Sequence, residues 1–155
     1  MTAQRLFARS FDSLQEIFAF SSEFFASHGL DTELLPSVDL TLEELFTNMV
    51  KYSPGGDASV RVEMRALAGG VEVQMTDYDV DRFDVTQAPD AVIDLPLEAR
   101  KPGGLGLHLI RRLVDSLQYE YSSETRQSRI TFRKTVSGQR ACDRVPNKGE
   151  TDAAD

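Results

Sequence analysis

The chain has 155 residues, of which 41% are hydrophobic and 27% charged, as is ordinary for one soluble globular domain. Its 25 acidic residues outnumber its 17 basic residues, which gives a formal net charge of −8. Because non-specific nucleic-acid binding depends on clustered lysine and arginine, this balance argues against a nucleic-acid partner.

Cysteine usage and hydropathy exclude further classes of protein. The single cysteine, Cys142, excludes a disulfide framework, and His28 and His108 stand too far apart in sequence to suggest a metal site. The first residues lack the apolar run of a signal peptide, and no stretch approaches the roughly 18 apolar residues of a membrane span. We therefore expect a cytoplasmic protein that meets small ligands or other proteins.

The N-terminal third predicts a strand followed by two helices. Weak alternation in RLFARSF indicates the strand, and helical spacing predicts a helix over 10–29 that Gly29 ends. The apolar positions of this helix are Phe11, Leu14, Ile17, Phe18, Phe24, Phe25 and His28. A second helix is predicted from about Pro36 to Tyr52, where SPGG stops it. Its core stripe consists of Val38, Leu42, Leu45, Met49 and Tyr52.

The rest of the chain predicts two hairpins separated by a loop and a helix. Alternating apolar residues around Gly69-Gly70 predict the first hairpin, with Val60, Val62, Met64 and Ala66 before the turn and Val71, Val73 and Met75 after it. Periodicity is lost from 79 to 102, as in a functional loop. The helix that follows turns Leu109, Ile110, Leu113, Val114 and Leu117 inward, and LQYEYSS pairs with RITFRKTV.

This element order predicts an α+β fold: a two-layer sandwich with helices on one face of a mixed, mainly antiparallel sheet. We assign residues 1–136 to one domain, with a loop at about 80–102. Residues 137–155 have no apolar pattern and are predicted to be a disordered tail.

The second predicted helix carries a polar ridge beside its core stripe. Thr41, Glu44, Asn48 and Lys51 follow one another at spacings of three, four and three, so they share one edge of the helix. The ridge is either a solvated helix edge or the lining of a pocket. In a pocket, Asn48 could offer an oxygen to a hard cation, and Glu44 could orient or deprotonate a hydroxyl group.

Asp77 shares strand parity with three apolar residues, Val71, Val73 and Met75, and therefore points to the apolar side of the hairpin. A carboxylate buried without partners is costly. Either the strand has already ended and Asp77 is a turn residue, or Asp77 forms the floor of a pocket. There it could accept a hydrogen bond from a ligand amino group such as the exocyclic amine of adenine.

The stretch KPGGLGLHLI places three glycines at the start of a predicted helix. Glycine costs roughly 1 kcal/mol relative to alanine inside a helix, so a helix start rich in glycine needs a reason. The glycines either cap the helix and permit tight packing, or expose backbone N–H groups and the positive end of the helix dipole to phosphates. The pattern matches neither the P-loop nor GxGxxG.

These three segments together, Glu44-x-x-x-Asn48, Asp77 after a hairpin and GGLGL opening a helix, resemble the Bergerat-fold ATPases, the superfamily of histidine kinases, gyrase B and MutL. The short length and the phrase ELFTNMVKYS look most like the anti-sigma factor serine kinases of partner-switching systems. The resemblance covers about residues 5 to 136 and keeps the order of all three segments.

The resemblance implies an ATP site with Mg²⁺ and assigns roles to matching positions. Glu44 is expected to be the general base for an acceptor serine, Asn48 the Mg²⁺ ligand and Asp77 the adenine-recognising residue. The phosphate-binding glycine box is expected to consist of Gly103, Gly104, Leu105, Gly106 and Leu107. Further nucleotide-binding positions, including two cations of an ATP lid at about 80–102, are Lys51, Asp79, Arg100, Lys101 and, at the adenine, Thr131.

Asp79 and Tyr52 depart from the family pattern. Asp79 stands where the family usually has glycine, and Tyr52 stands where many relatives carry histidine. Aspartate tolerates a positive φ better than most residues, but its carboxylate would weaken nucleotide binding if it faced the phosphates.

The resemblance also implies partners. The expected activity is phosphorylation of a small STAS-type anti-sigma-factor antagonist on serine, together with sequestration of a sigma factor and a possible homodimer. A nucleotide-gated interaction module with weak or no kinase activity is the alternative, and the ATPase core of a histidine kinase is a third reading.

Overall fold

The computed structural model describes residues 1–52, 59–82 and 104–136. Five strands and three helices lie in these ranges, with a single turn of 3-10 helix at Thr32–Leu34 before the second helix. The elements in chain order are β1 Thr2–Phe7, α1 Ser13–His28, α2 Leu35–Tyr52, β2 Val60–Leu67, β3 Gly70–Asp77, α3 Gly104–Leu113, β4 Ser116–Ser122 and β5 Gln127–Thr135. The order predicted from the sequence is confirmed.

The strands form one sheet in the order β1-β2-β3-β5-β4, and all four pairings within the described residues are antiparallel. The prediction of a mainly antiparallel sheet is confirmed. The described strands contain no parallel pair, so the sheet is not mixed over these residues. Hairpins join β2 to β3 and β4 to β5, while β5 lies against β3. This arrangement sets the end of β3 beside the start of β5, with Asp77 opposite Ser128.

The core lies between one face of the sheet and the helices, because apolar residues alternate along each inner strand. The buried residues on this face of the sheet are Val60, Val62, Met64, Val71, Val73, Met75, Ile130 and Phe132. The helices contribute the apolar residues Ile17, Phe20, Phe24, Phe25, Val38, Leu42, Leu45, Phe46, Met49, Leu107 and Ile110. Burying each such side chain stabilises the fold by about 1.5–3 kcal/mol, so this interface holds the layers together.

Two predicted core positions are wrong. Phe11 is 50% exposed because α1 begins at Ser13, so the helical spacing does not extend back to Phe11. Leu109 is 46% exposed because α3 turns Leu107 and Ile110 toward the core and leaves Leu109 on another side of the helix.

The ends of the helices are fixed by specific contacts. Gly29 ends α1 in the left-handed conformation with φ +61°, and its N–H donates to the Phe25 carbonyl. The buried Lys134 of β5 donates from Nζ to the Leu113 carbonyl at 2.6 Å, which satisfies the last turn of α3 and complements the negative end of its dipole. None of the helices in the described ranges is long and apolar enough to cross a membrane.

Candidate functional site

Helix α2 sets Glu44 and Asn48 one turn apart on the same edge. Asn48 is fully buried, and its Nδ2 lies 3.5 Å from Glu44 Oε1. An ionised carboxylate only accepts hydrogen bonds, so the amide nitrogen must face Glu44 and the amide oxygen must face away. Within the described part of the chain, Asn48 Oδ1 is buried and has no hydrogen-bond partner. A buried amide oxygen without a donor is suited to an external donor or a cation.

Glu44 sits at the border of this buried region. Burial raises the pKa of Glu44, and this effect outweighs the Asn48 hydrogen bond and the Lys51 ammonium, which both lower it. Lys51 itself is exposed on the last turn of α2. The carboxylate therefore binds a proton more readily than an exposed glutamate does.

The polar ridge of α2 is not a solvated helix edge. Thr41 and Asn48 are fully buried, Glu44 is partly buried, and only Lys51 is exposed. Thr41 is satisfied within the helix, because its Oγ1 donates to the Ser37 carbonyl at 2.7 Å. The pair that remains for chemistry is thus Glu44 and Asn48.

Asp77 is the last residue of β3 and is fully buried, which excludes the turn interpretation. Its partner is Arg9, just after β1: Arg9 Nη2 and Nη1 lie 2.7 Å and 3.1 Å from Asp77 Oδ2. Desolvation raises the pKa of Asp77 to about 6, although Arg9 and the Tyr78 backbone N–H lower it. Oδ1 of Asp77 has no hydrogen-bond partner among the described residues.

Arg9 also connects Asp77 to α2. Its Nη1 lies 3.5 Å from the Met49 carbonyl, next to Asn48 in the chain. The arginine side chain is only 8% exposed. The end of β3 and the Asn48 turn of α2 are therefore joined through one buried guanidinium, which brings two of the three predicted segments together.

The structure places Thr131, the predicted adenine-side residue, on the other face of the sheet from Asp77. Thr131 pairs with Gln74 and Gln118 on the face of the sheet turned away from the helices. Strand parity instead puts Ser128 on the inner face, opposite Asp77, and Ser128 is 5% exposed. Ser128 is the β5 hydroxyl that accompanies Asp77.

Asp79 adopts the conformation that glycine usually provides. Its φ is +54°, as its position in the family pattern predicts. The carboxylate is exposed and accepts a hydrogen bond from Arg126 Nη1 at 2.8 Å, while Arg126 Nη2 reaches Asp81 at 3.2 Å. Arg126 lies in the turn between β4 and β5, so it balances the charge that Asp79 adds near the site.

Helix α3 begins at Gly104, so Gly104, Leu105 and Gly106 form its first turn. Leu107 is fully buried in the core and is a packing residue. Arg100, Lys101 and Gly103, together with most of the predicted lid, lie outside the described residues. The described ranges contain no group of three or more histidine, cysteine, aspartate or glutamate residues able to hold a metal ion.

Sequence analysis missed two residues of the site. Ser128 could have been found, because it shares strand parity with Ile130 and Phe132. Arg9 gave no local signal, because it follows a short strand and its partner Asp77 is 68 residues away in the chain.

Comparison with known proteins shows the family of the chain. Residues 7–134 match the histidine kinase-like ATPase domain. The chain is also similar to the serine/threonine-protein kinase BtrW of Bordetella bronchiseptica, with 28% identity over 86 residues. That match covers 54% of this chain and 60% of the relative. Because the domain match spans most of the sequence and the α+β sandwich agrees with it, the chain belongs to the histidine kinase-like ATPase domain family.

Proposed function

We propose that the protein is an ATP-dependent serine-protein kinase and anti-sigma factor, which phosphorylates a small STAS-type antagonist on serine and sequesters a sigma factor. The observation that carries the proposal is the hydrogen bond from Asn48 Nδ2 to Glu44, which leaves Asn48 Oδ1 buried and unpartnered in the same region as Asp77. The name of the similar relative, a serine/threonine-protein kinase, supports protein as the acceptor.

The Asn48 oxygen fits one ligand position of Mg²⁺. Mg²⁺ prefers oxygen ligands and is usually held by one or two protein groups together with substrate phosphates. A single buried amide oxygen matches that pattern. When bound there, Mg²⁺ supplies positive charge that neutralises the nucleotide phosphates.

In the proposed reaction, Glu44 takes the proton of the acceptor serine hydroxyl. A bond forms between the serine oxygen and the γ-phosphorus, the bond to the bridging oxygen breaks, and ADP leaves. Positioning supplies most of the catalysis, since phosphoryl transfer needs little covalent chemistry from the protein. Asp77 and Ser128 hold the adenine ring of the nucleotide. The first turn of α3 presents backbone N–H groups to the phosphates.

The experiment combines nucleotide binding with phosphoryl transfer. We expect Glu44→Gln to keep the affinity for a fluorescent ATP analogue and to lose roughly 10²-fold or more of the transfer to a serine-containing STAS protein. Asn48→Ala should weaken binding of the analogue in the presence of Mg²⁺. Glu43→Gln, on the exposed neighbour, is the matched control and should change neither activity.

Two outcomes oppose the proposal in different ways. Equal loss of binding and transfer in both variants contradicts the assigned roles of Glu44 and Asn48. Binding of ATP and of the antagonist without any transfer of label favours a nucleotide-gated interaction module. Asp79, whose carboxylate would weaken nucleotide binding if it faced the phosphates, is instead paired with Arg126.

A further inference from the structure

The contact between Arg9 and Asp77 is asymmetric. Both terminal nitrogens of Arg9 converge on Oδ2 of Asp77, at 2.7 Å and 3.1 Å. Arginine–carboxylate pairs frequently use both carboxylate oxygens in a parallel, two-pronged contact. Here Oδ1 is left buried and without a hydrogen-bond partner among the described residues. Arg9 therefore occupies Oδ2 of Asp77 and leaves Oδ1 available as a hydrogen-bond acceptor.

The arginine is held firmly in this position. Its side chain is 8% exposed, and Nη1 is also within 3.5 Å of the Met49 carbonyl. Contacts to both β3 and α2 oppose any swing of the guanidinium away from Asp77. A ligand at Asp77 thus meets a carboxylate with a fixed cation beside it.

The two purine bases present different edges to such a carboxylate. Guanine offers two adjacent donors, N1–H and the 2-amino group, which suit both oxygens of a free carboxylate. Adenine offers one donor, the 6-amino group, next to an acceptor at N1. A carboxylate with a single available oxygen, flanked by a cation, complements the adenine edge and leaves one guanine donor facing positive charge. An unmatched buried donor is costly.

We propose that Arg9 is a positioning residue that sets base specificity, because it restricts Asp77 to one acceptor and so selects adenine over guanine nucleotides. This inference rests on the proposed function, in which a nucleotide base occupies the Asp77 end of the site. Arg9 acts through Asp77 and takes no part in phosphoryl transfer.

The test measures the ratio of the dissociation constants for ADP and GDP with Mg²⁺, by isothermal calorimetry at about pH 8, where a carboxyl with a pKa of about 6 is ionised. We expect the wild type to prefer ADP, and Arg9→Met to reduce that preference about tenfold, as expected for the loss of one discriminating hydrogen bond. Arg9→Lys keeps a donor and a charge on Oδ2 and should retain most of the preference. The matched control is Arg5→Met, since Arg5 lies on β1 over the Phe20 ring, 5.5 Å from its centroid.

A purely structural role of Arg9 would weaken ADP and GDP binding equally and leave the ratio unchanged. A ratio within threefold of the wild-type value in Arg9→Met therefore overturns the inference. If Arg9→Met does not fold, the same criterion applies to Arg9→Leu, which also has no donor for Asp77 Oδ2. A wild type that binds neither nucleotide refutes the proposed function itself, whereas ADP binding with an unchanged ratio refutes only the role of Arg9.

Discussion

Single polar groups that are buried without a full set of partners define the site at the residue scale. Asn48 Oδ1 and Asp77 Oδ1 are both buried and unpartnered within the described residues, and they belong to two different elements. An unsatisfied buried polar group costs about 1–3 kcal/mol, and a ligand that supplied a cation or a donor at these two atoms would recover that cost. The two acceptors differ in chemistry: the neutral amide oxygen suits a cation, and the carboxylate oxygen suits an amino group.

The raised pKa of Asp77 predicts how the free energy of unfolding depends on pH. The carboxyl has a pKa of about 6 in the fold against 3.8 when unperturbed, so between these values the folded state binds more protons than the unfolded state. The contribution of Asp77 to the free energy of unfolding should therefore fall by about 2 kcal/mol as the pH rises from about 4 to about 6, and should level off only above about pH 7.

Asp77→Asn isolates this contribution, because the amide does not titrate. The difference in unfolding free energy between wild type and Asp77→Asn, measured by urea denaturation from about pH 4 to about pH 7, should shift in favour of the variant as the pH rises. The comparison is needed because burial also raises the pKa of Asp39 and Glu44. A difference that stays constant across this range contradicts the assignment.

Among the elements, β3 and β5 pair so closely that one position of β3 has no room for a side chain. Gly70 begins β3 opposite Thr135 of β5, and a Cβ added there would lie 2.1 Å from the Lys134 carbonyl oxygen. This atom belongs to backbone and cannot move without opening the pairing. The position therefore admits only glycine for steric reasons.

We expect Gly70→Ala to lower the free energy of unfolding by about 3 kcal/mol, at the upper end of the usual cost of overpacking. Gly29→Ala provides the comparison, because Gly29 has φ +61° with open space around its Cβ position. The free energy of unfolding of Gly29→Ala should fall by only roughly 1–2 kcal/mol, which is the cost of a non-glycine residue in the left-handed conformation. Equal losses in the two variants, measured by urea denaturation, would show that close approach at Gly70 is unimportant.

At the scale of the whole molecule, the sheet and the helices bring the start of the chain to the end of β3. Strand β1 pairs with β2 at one edge of the sheet, and Arg9 follows it toward α1. The sheet supplies the Asp77 end of the site, while α2 supplies Glu44 and Asn48. The site therefore exists only in the folded chain, because its residues come from segments that are far apart in the sequence.

A ligand that binds only the folded chain must raise its melting temperature. ATP with Mg²⁺ at about one hundred times its dissociation constant should add about 2.7 kcal/mol, which corresponds to roughly 5–10 °C for a domain of this size. Differential scanning fluorimetry measures the shift, with CTP as the control nucleotide. The shift should shrink in Asn48→Ala. No shift at millimolar ATP would contradict nucleotide binding in this site.

Local sequence patterns predict the order of the elements and the antiparallel hairpins, and they place Asp77 on the apolar side of its strand without deciding between a turn and a buried position. These features follow from periods of 2 and 3.6 residues, which local backbone geometry sets regardless of the rest of the fold. The same periodicity also indicates Ser128 rather than Thr131, once parity is counted from Ile130. Local spacing set Glu44 and Asn48 on one helix edge for the same reason.

Which distant groups meet depends on the tertiary structure. The pair between Arg9 and Asp77 spans 68 residues and depends on strand order, so no local period predicts it. The exposure of Phe11 and Leu109 depends on where α1 begins and on which side of α3 meets the core. The pairing of Asp79 with Arg126 depends on the turn of a hairpin 47 residues later. Long-range contacts of this kind arise from packing and strand pairing, which a local pattern does not encode.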